Sequence, residues 1–171
     1  MKLTSKVLIA MLLFAIAGLF VSNSILKSEF EKVDKTDMYW TYGKILKQPF
    51  SHINIDGGNI TNIAFEQSPV ASVKVLKDWH GYGEGTVQAI VRNDTLFIKF
   101  PNTYKDIFEK NWMGWNTLVR VFSPNLLSFT GVDTKFEMFK TKQKSIAINL
   151  SGKSSFEMES MIPELDSINV I

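Results

Sequence analysis

The sequence predicts an all-β head behind one N-terminal hydrophobic helix, and three observations carry that prediction. An uncharged apolar run follows Lys2 and Lys6, period-two alternation takes over beyond Pro49, and the last third repeats with a stride of about 20 residues. The stride suggests a β-solenoid, a single-stranded β-helix, with a β-sandwich as the alternative.

The apolar run Val7–Val21 holds no charge. At 1.5 Å per residue it spans roughly 22 Å, short of a ~30 Å hydrocarbon core. Extension through Ser22-Asn23-Ser24 to Ile25 and Leu26 brings it close to spanning length. We read residues 1–26 as a signal-anchor held in the membrane through residues 7–26, the alternative being a signal peptide cut after Ser24, where small residues flank Asn23. Leu26, Phe30 and Val33 continue at helical spacing, so residues 27–48 read as a stalk or linker. The head would then lie outside the cytoplasm, in the cell envelope, either in the periplasm or at the cell surface.

Residues 49–171 read as the head. Phe50-Ser51-His52-Ile53-Asn54-Ile55 alternates and stops at Asp56-Gly57-Gly58-Asn59, whose glycines accept positive φ. Val73-Lys74-Val75 alternates. Thr86–Val91 and Leu96–Phe100 flank Asn93-Asp94 and read as a hairpin. Leu118–Phe122 is a further strand, closed by Pro124-Asn125. In the last third, Leu127-Ser128-Phe129-Thr130-Gly131 and Lys135-Phe136-Glu137-Met138 recur as Ile148-Asn149-Leu150-Ser151-Gly152 and Ser155-Phe156-Glu157-Met158, and Ile168-Asn169-Val170 starts again. Gly57, Gly131 and Gly152 are the expected structural corners, with Phe136 and Phe156 in one interior ladder. The chain stops at Ile171 partway through a unit, so the expectation is either a head that continues or a strand edge that pairs with another chain or segment.

Composition bounds the chemistry. Of the 171 residues 45% are hydrophobic and 21% charged, which suits a packed core and argues against disorder. The net charge is +2 with basic residues scattered among acidic ones, so no nucleic-acid footprint appears. Cysteine is absent, which excludes disulfides, thiolate metal sites, a cysteine nucleophile and a lipidated cysteine.

Residues Pro49–Gly57, the strand ending Leu96-Phe97-Ile98, Val119–Leu126 and the Ser151-Gly152 unit are similar to the head GIN domain family, autotransporter adhesins of Bacteroidetes-type envelopes by description. The resemblance covers roughly residues 49–171 and implies an exported β-solenoid without an assigned activity. An uncleaved anchor and fewer Ser-Gly units depart from the family's pattern.

The search for catalytic groups returns little. His52 sits at a strand position and reads as a partly buried or edge histidine. Asp78, His80 and Glu84 could place metal ligands in one loop, but a polar surface loop explains them as well, and no metal is assigned. Gly81–Gly85 precedes a strand rather than a helix, so the phosphate-cradle mechanism is missing. Glu137 and Glu157 repeat between Phe and Met, and stacked coils would bring the carboxylates together, although outward solvated glutamates are the default. Trp79, Tyr82, Trp112 and Trp115 lie beside glycines, as aromatic platforms for a ligand such as a sugar ring or as plugs over the core.

The reading is therefore a non-enzymatic envelope protein, needing no cofactor, whose head serves adhesion, binding or scaffolding toward an envelope protein or polysaccharide. The alternative is a carbohydrate-binding or carbohydrate-active β-helix protein. An open groove with convergent carboxylates would favour the enzyme; a flat face of Ser, Thr, Lys and Asn would favour binding.

Overall fold

The computed structural model describes residues 3–77, 87–100, 116–139, 141–159 and 167–170. The chain divides into two compact units, Met1–Trp40 and Thr41–Ile171.

The first unit is built on α1 (Leu3–Glu31), 29 residues with none buried. Its mean hydropathy of 2.2 over the most apolar window makes it long and apolar enough to cross a membrane. At 1.5 Å per residue it measures about 43 Å, more than a ~30 Å hydrocarbon core. The helix runs unbroken through Ser22-Asn23-Ser24, where the Ser24 hydroxyl donates to the Phe20 carbonyl at 2.9 Å. A serine inside an apolar helix thus spends its donor on the preceding turn. Past the first turn, which holds Thr4, Ser5 and Lys6, charge returns only in the last turns, with the Lys27–Glu31 pair and the Glu29–Lys32 pair at its end. Beyond it, Asp34 accepts from the Thr36 hydroxyl and backbone N–H and organises a turn.

The second unit contains β1 (Tyr42–Leu46), β2 (His52–Asp56), β3 (Asn62–Gln67), β4 (Ser72–Leu76), β5 (Gln88–Arg92), β6 (Thr95–Lys99), β7 (Thr117–Ser123), β8 (Ser128–Val132), β9 (Lys135–Phe139), β10 (Ser145–Ser151), β11 (Ser155–Glu159) and β12 (Ser167–Val170). They form two six-stranded sheets. Sheet A has the order β1-β4-β7-β3-β9-β11 and sheet B the order β12-β10-β8-β2-β6-β5. Buried residues of both sheets make one core, with Ile53, Ile55, Leu96, Ile98, Phe129 and Ile148 from sheet B meeting Ile63, Phe65, Val73, Val121, Phe136 and Met138 from sheet A. The ring of Phe129 stacks on that of Phe136 across the two sheets, centroids 3.9 Å apart.

This order overturns the predicted solenoid. In a single-stranded β-helix each coil stacks on the one before it. Here β2 lies between β8 and β6, and β3 between β7 and β9. The sheets are mixed: β4 runs antiparallel to both β1 and β7, and β5 antiparallel to β6. The physical causes are local. Asn93 and Asp94 take φ of 47° and 61°, the paired left-handed conformation of a tight hairpin, and turn β5 straight back into β6. The link from β3 to β4 is too short for the crossover that parallel strands require.

The 20-residue stride itself is real but confined. It appears as in-register parallel pairing in the Phe-Glu-Met half, with Phe136 opposite Phe156 and Glu137 opposite Glu157, while in the other half Phe129 pairs with Ile148 rather than with the expected Leu150. The corners differ from expectation in one place. Gly131 lies inside β8, opposite Leu150, without a positive φ. A Cβ there would collide with Thr134 and come within 2.8 Å of Phe129 Cζ, so the glycine supplies space rather than a turn. The residue equivalent to Gly152 is Asp133: Asp56, Val132 and Ser151 are in register, so the next positions, Gly57, Asp133 and Gly152, stack as a column with φ of 88°, 50° and 64°. Gly57 donates its N–H to the Val132 carbonyl and Asp133 to that of Ser151. Aspartate tolerates the left-handed region better than most residues and here accepts the Lys153 N–H at 2.7 Å.

Strand β3 shows no alternation, because Ile63, Ala64, Phe65 and Glu66 are all buried. A strand covered on both faces reads as a continuous apolar run, and Glu66 breaks even that pattern. Its carboxylate is held by Arg120 at 2.6 Å, and the guanidinium lies over the Tyr42 ring.

Candidate functional site

Period-two alternation in β2, β6, β8 and β10 turns Ile53, Ile55, Leu96, Ile98, Phe129, Ile146 and Ile148 into the core. The residues between them form the outer face of sheet B. Register places them in rows across the strands. One row runs Arg92, Thr95, His52, Ser128, Ala147. The next runs Ile90, Phe97, Asn54, Thr130, Asn149, and the third runs Gln88, Lys99, Asp56, Val132, Ser151.

The face is polar over most of its centre, where Val132 is the exposed apolar exception, and apolar at one rim. His52 Nδ1 and Ser128 Oγ are 2.7 Å apart, a hydrogen bond between neighbouring strands. His52 is therefore a half-buried strand residue with a hydroxyl partner. Lys99 and Asp56 pair at 3.8 Å, both well exposed, so this contact contributes little to stability. At the β5–β6 rim, Ile90 is 44% and Phe97 38% exposed. Asn54, Thr130 and Asn149 make no side-chain hydrogen bond to another described residue.

The outer face of sheet A is charged instead. One row runs Lys44, Lys74, Arg120, Ala64, Glu137, Glu157. Cations occupy the β1–β4–β7 half and carboxylates the β9–β11 half. The register brings Glu137 and Glu157 together, and with Phe139 and Met158 they line a shallow recess. Among the described residues, no three His, Asp or Glu side chains gather into a metal-binding set. Trp79, Tyr82, Trp112 and Trp115, together with Asp78, His80 and Glu84, lie outside the described residues.

Sequence reasoning pointed to aromatic loops and missed the row Phe97, Asn54, Thr130, Asn149. Its signal was present: each is the outward partner of a buried Ile, Leu or Phe in an alternating strand. What the sequence lacked was the pairing order, without which β6, β2, β8 and β10 are not neighbours.

No family model matches the chain, so the likeness to the head GIN domain family stays a resemblance, and no curated protein matches it. Among solved structures, a candidate adhesin from Bacteroides fragilis is similar with a TM-score of 0.49 at 13% identity, over 75% of this chain and 54% of its own. A candidate lipid-binding protein from Parabacteroides distasonis scores 0.37 at 17% identity, over 68% of this chain and 50% of its own. A candidate adhesin from the same species scores 0.37 at 18% identity, over 70% of this chain and 58% of its own. The chain thus spans about half the length of the solved structures it matches, and likeness of this extent shows no common function.

Proposed function

We propose that this chain is a non-enzymatic cell-envelope protein, held in a membrane by α1, whose β unit presents a sheet face for binding. The observation that carries the reading is the outer face of sheet B, four neighbouring strands whose outward side chains are mostly Ser, Thr, Asn and His, interrupted by the Lys99–Asp56 pair, Ala147 and Val132, with an exposed Phe at the rim. Such a face offers hydrogen-bond donors and acceptors over an extended area, which suits adhesion or scaffolding. The unburied apolar helix supports attachment to a membrane.

The test is topological and chemical together. The full chain, expressed in a bacterial host, is expected to remain in the membrane after alkaline carbonate extraction, with N-terminal sequencing returning Met1 or the next residue. Protease added outside the inner membrane is expected to degrade the β unit. A mature start at Ile25 would remove the anchor, and protection of the β unit from outside protease would overturn the location. The second reading, a carbohydrate-active enzyme, is favoured only by the in-register pair Glu137 and Glu157 in their recess. Hydrolysis of a polysaccharide that is lost in Glu137→Gln would establish it.

A further inference from the structure

We infer that the outer face of sheet B recognises an uncharged polysaccharide, laid across the strands along the row Phe97, Asn54, Thr130, Asn149. The inference deepens the binding role proposed above and rests on it.

Those four residues sit on β6, β2, β8 and β10, each strand hydrogen-bonded to the next, in direct register. Their spacing is therefore the strand spacing, about 4.7–4.9 Å per step, which is close to the length of one pyranose ring. Asn54, Thr130 and Asn149 make no side-chain hydrogen bond to another described residue. Each amide offers two donors and an acceptor, and the hydroxyl offers one donor and two lone pairs. The row is thus a line of paired donor and acceptor groups, the chemistry that sugar hydroxyls match. Phe97 closes one end with a ring 38% exposed, beside Ile90. An aromatic face there can pack against the C–H face of a sugar while the amides take its hydroxyl edge.

Charge and layout narrow the ligand. Of the charges in the three rows, Lys99 and Asp56 pair at 3.8 Å and Arg92 sits out on the edge strand β5, so a polyanion gains little field at the centre of the face. The row itself is polar between Asn54 and Asn149 and its apolar pair lies at the rim, with Val132 the one exposed apolar residue in the neighbouring row, a layout unlike a protein–protein interface with its apolar core and polar rim. Strand addition at the row itself is closed to a peptide, because β6, β2, β8 and β10 are each paired on both sides, which leaves only the edges β5 and β12.

The experiment uses the full chain in zwitterionic nanodiscs, passed over immobilised dextran, mannan, laminarin and xylan, with alginate and heparin as anionic probes. We expect retention on at least one neutral probe at both low and high salt. Phe97→Ala and the pair Asn54→Ala with Asn149→Ala should each weaken it by about tenfold or more. Phe97→Tyr should retain it, and Lys44→Ala on sheet A should leave it unchanged. All substituted positions on sheet B face solvent or lie half-buried, and circular dichroism checks that the variants keep their strands. No retention on any neutral probe overturns the proposal, as does retention that the sheet B variants leave intact. Salt-sensitive retention on anionic probes alone, lost in the sheet B variants, overturns the uncharged ligand but keeps the face. Retention on any probe lost only in Lys44→Ala overturns the face as well.

Discussion

Phe136 and Phe156 occupy the same register position on neighbouring parallel strands, with ring centroids 6.3 Å apart and planes 22° from parallel. The two rungs are unequal. Phe136 is 1% exposed and stacks on Phe129 as well, whereas Phe156 is half-buried. Phe136→Ala should cost about 3–5 kcal/mol, the range for truncating a fully buried aromatic. Phe156→Ala should cost less, about 1–3 kcal/mol. Glu157→Gln, at the exposed position beside it, should stay within about 0.5 kcal/mol. Denaturant unfolding of the detergent-solubilised chain orders the three. If Glu157→Gln matches Phe156→Ala, the inward and outward assignments of β11 are wrong.

The corner column gives a second prediction. Gly152 has φ of 64°, and a Cβ there would collide with Asp133 Oδ1 and reach 3.0 Å from Asp133 Cγ. Gly152→Ala therefore combines backbone strain with a clash and should destabilise by about 1–3 kcal/mol. Asp133→Gly removes the obstructing carboxylate and relaxes its own left-handed backbone. In that background the penalty of Gly152→Ala should shrink to the backbone part. A double-mutant cycle measures the coupling, and purely additive effects would refute the contact.

Glu66 and Arg120 supply a third. Their side chains are 10% and 19% exposed and meet at 2.6 Å. Removing one partner leaves the other's charge in a poorly hydrated place, so Glu66→Ala should cost about 3 kcal/mol or more. Glu66→Leu combined with Arg120→Met restores neutrality and apolar contact, and should be less damaging than either single change. Thermal unfolding of the four proteins decides; a double variant worse than both singles would show that the pair stabilises beyond its own desolvation.

Asp34 carries the pH prediction. The Thr36 hydroxyl, then the Thr36 backbone N–H, hold its carboxyl below the ordinary value of 3.8. Because its folded value is depressed, the turn's stabilisation is complete above 3.8 and is lost as pH falls through the lower folded value. Carboxyl-carbon NMR of the full chain should show Asp34 titrating below an unperturbed aspartate, and Thr36→Val should raise that midpoint while leaving it below ordinary, since the backbone donor remains. An unmoved midpoint would assign the effect to the backbone alone.

Much of this architecture was legible in the chain. The apolar run continues as α1, the Asn93-Asp94 hairpin forms, and the Phe-Glu-Met triplets align in register. What failed was order. Local patterns specify which residues face inward, but whether β2 pairs with a neighbour in sequence or with β8, 76 residues from His52 to Ser128, is decided by packing. Strand β3 gave no pattern because both of its faces are buried, and a glutamate inside a core strand is intelligible only beside Arg120. At the candidate site, Asn54 and Thr130 are ordinary outward residues until their strands become neighbours.

The central placement of β2 and β3 also sets a timetable. Each is among the first strands to be made, yet its partners, β6 and β8 for one and β7 and β9 for the other, all come later in the chain. Whatever channel the polypeptide leaves, N-terminus first, neither sheet can close until residues near Phe139 have emerged. Contacts this distant in sequence form slowly, since loop closure precedes their reward. The early part of the β unit therefore emerges with only the β1–β4 pair and the β5–β6 hairpin able to form, and both sheets wait for the strands that follow.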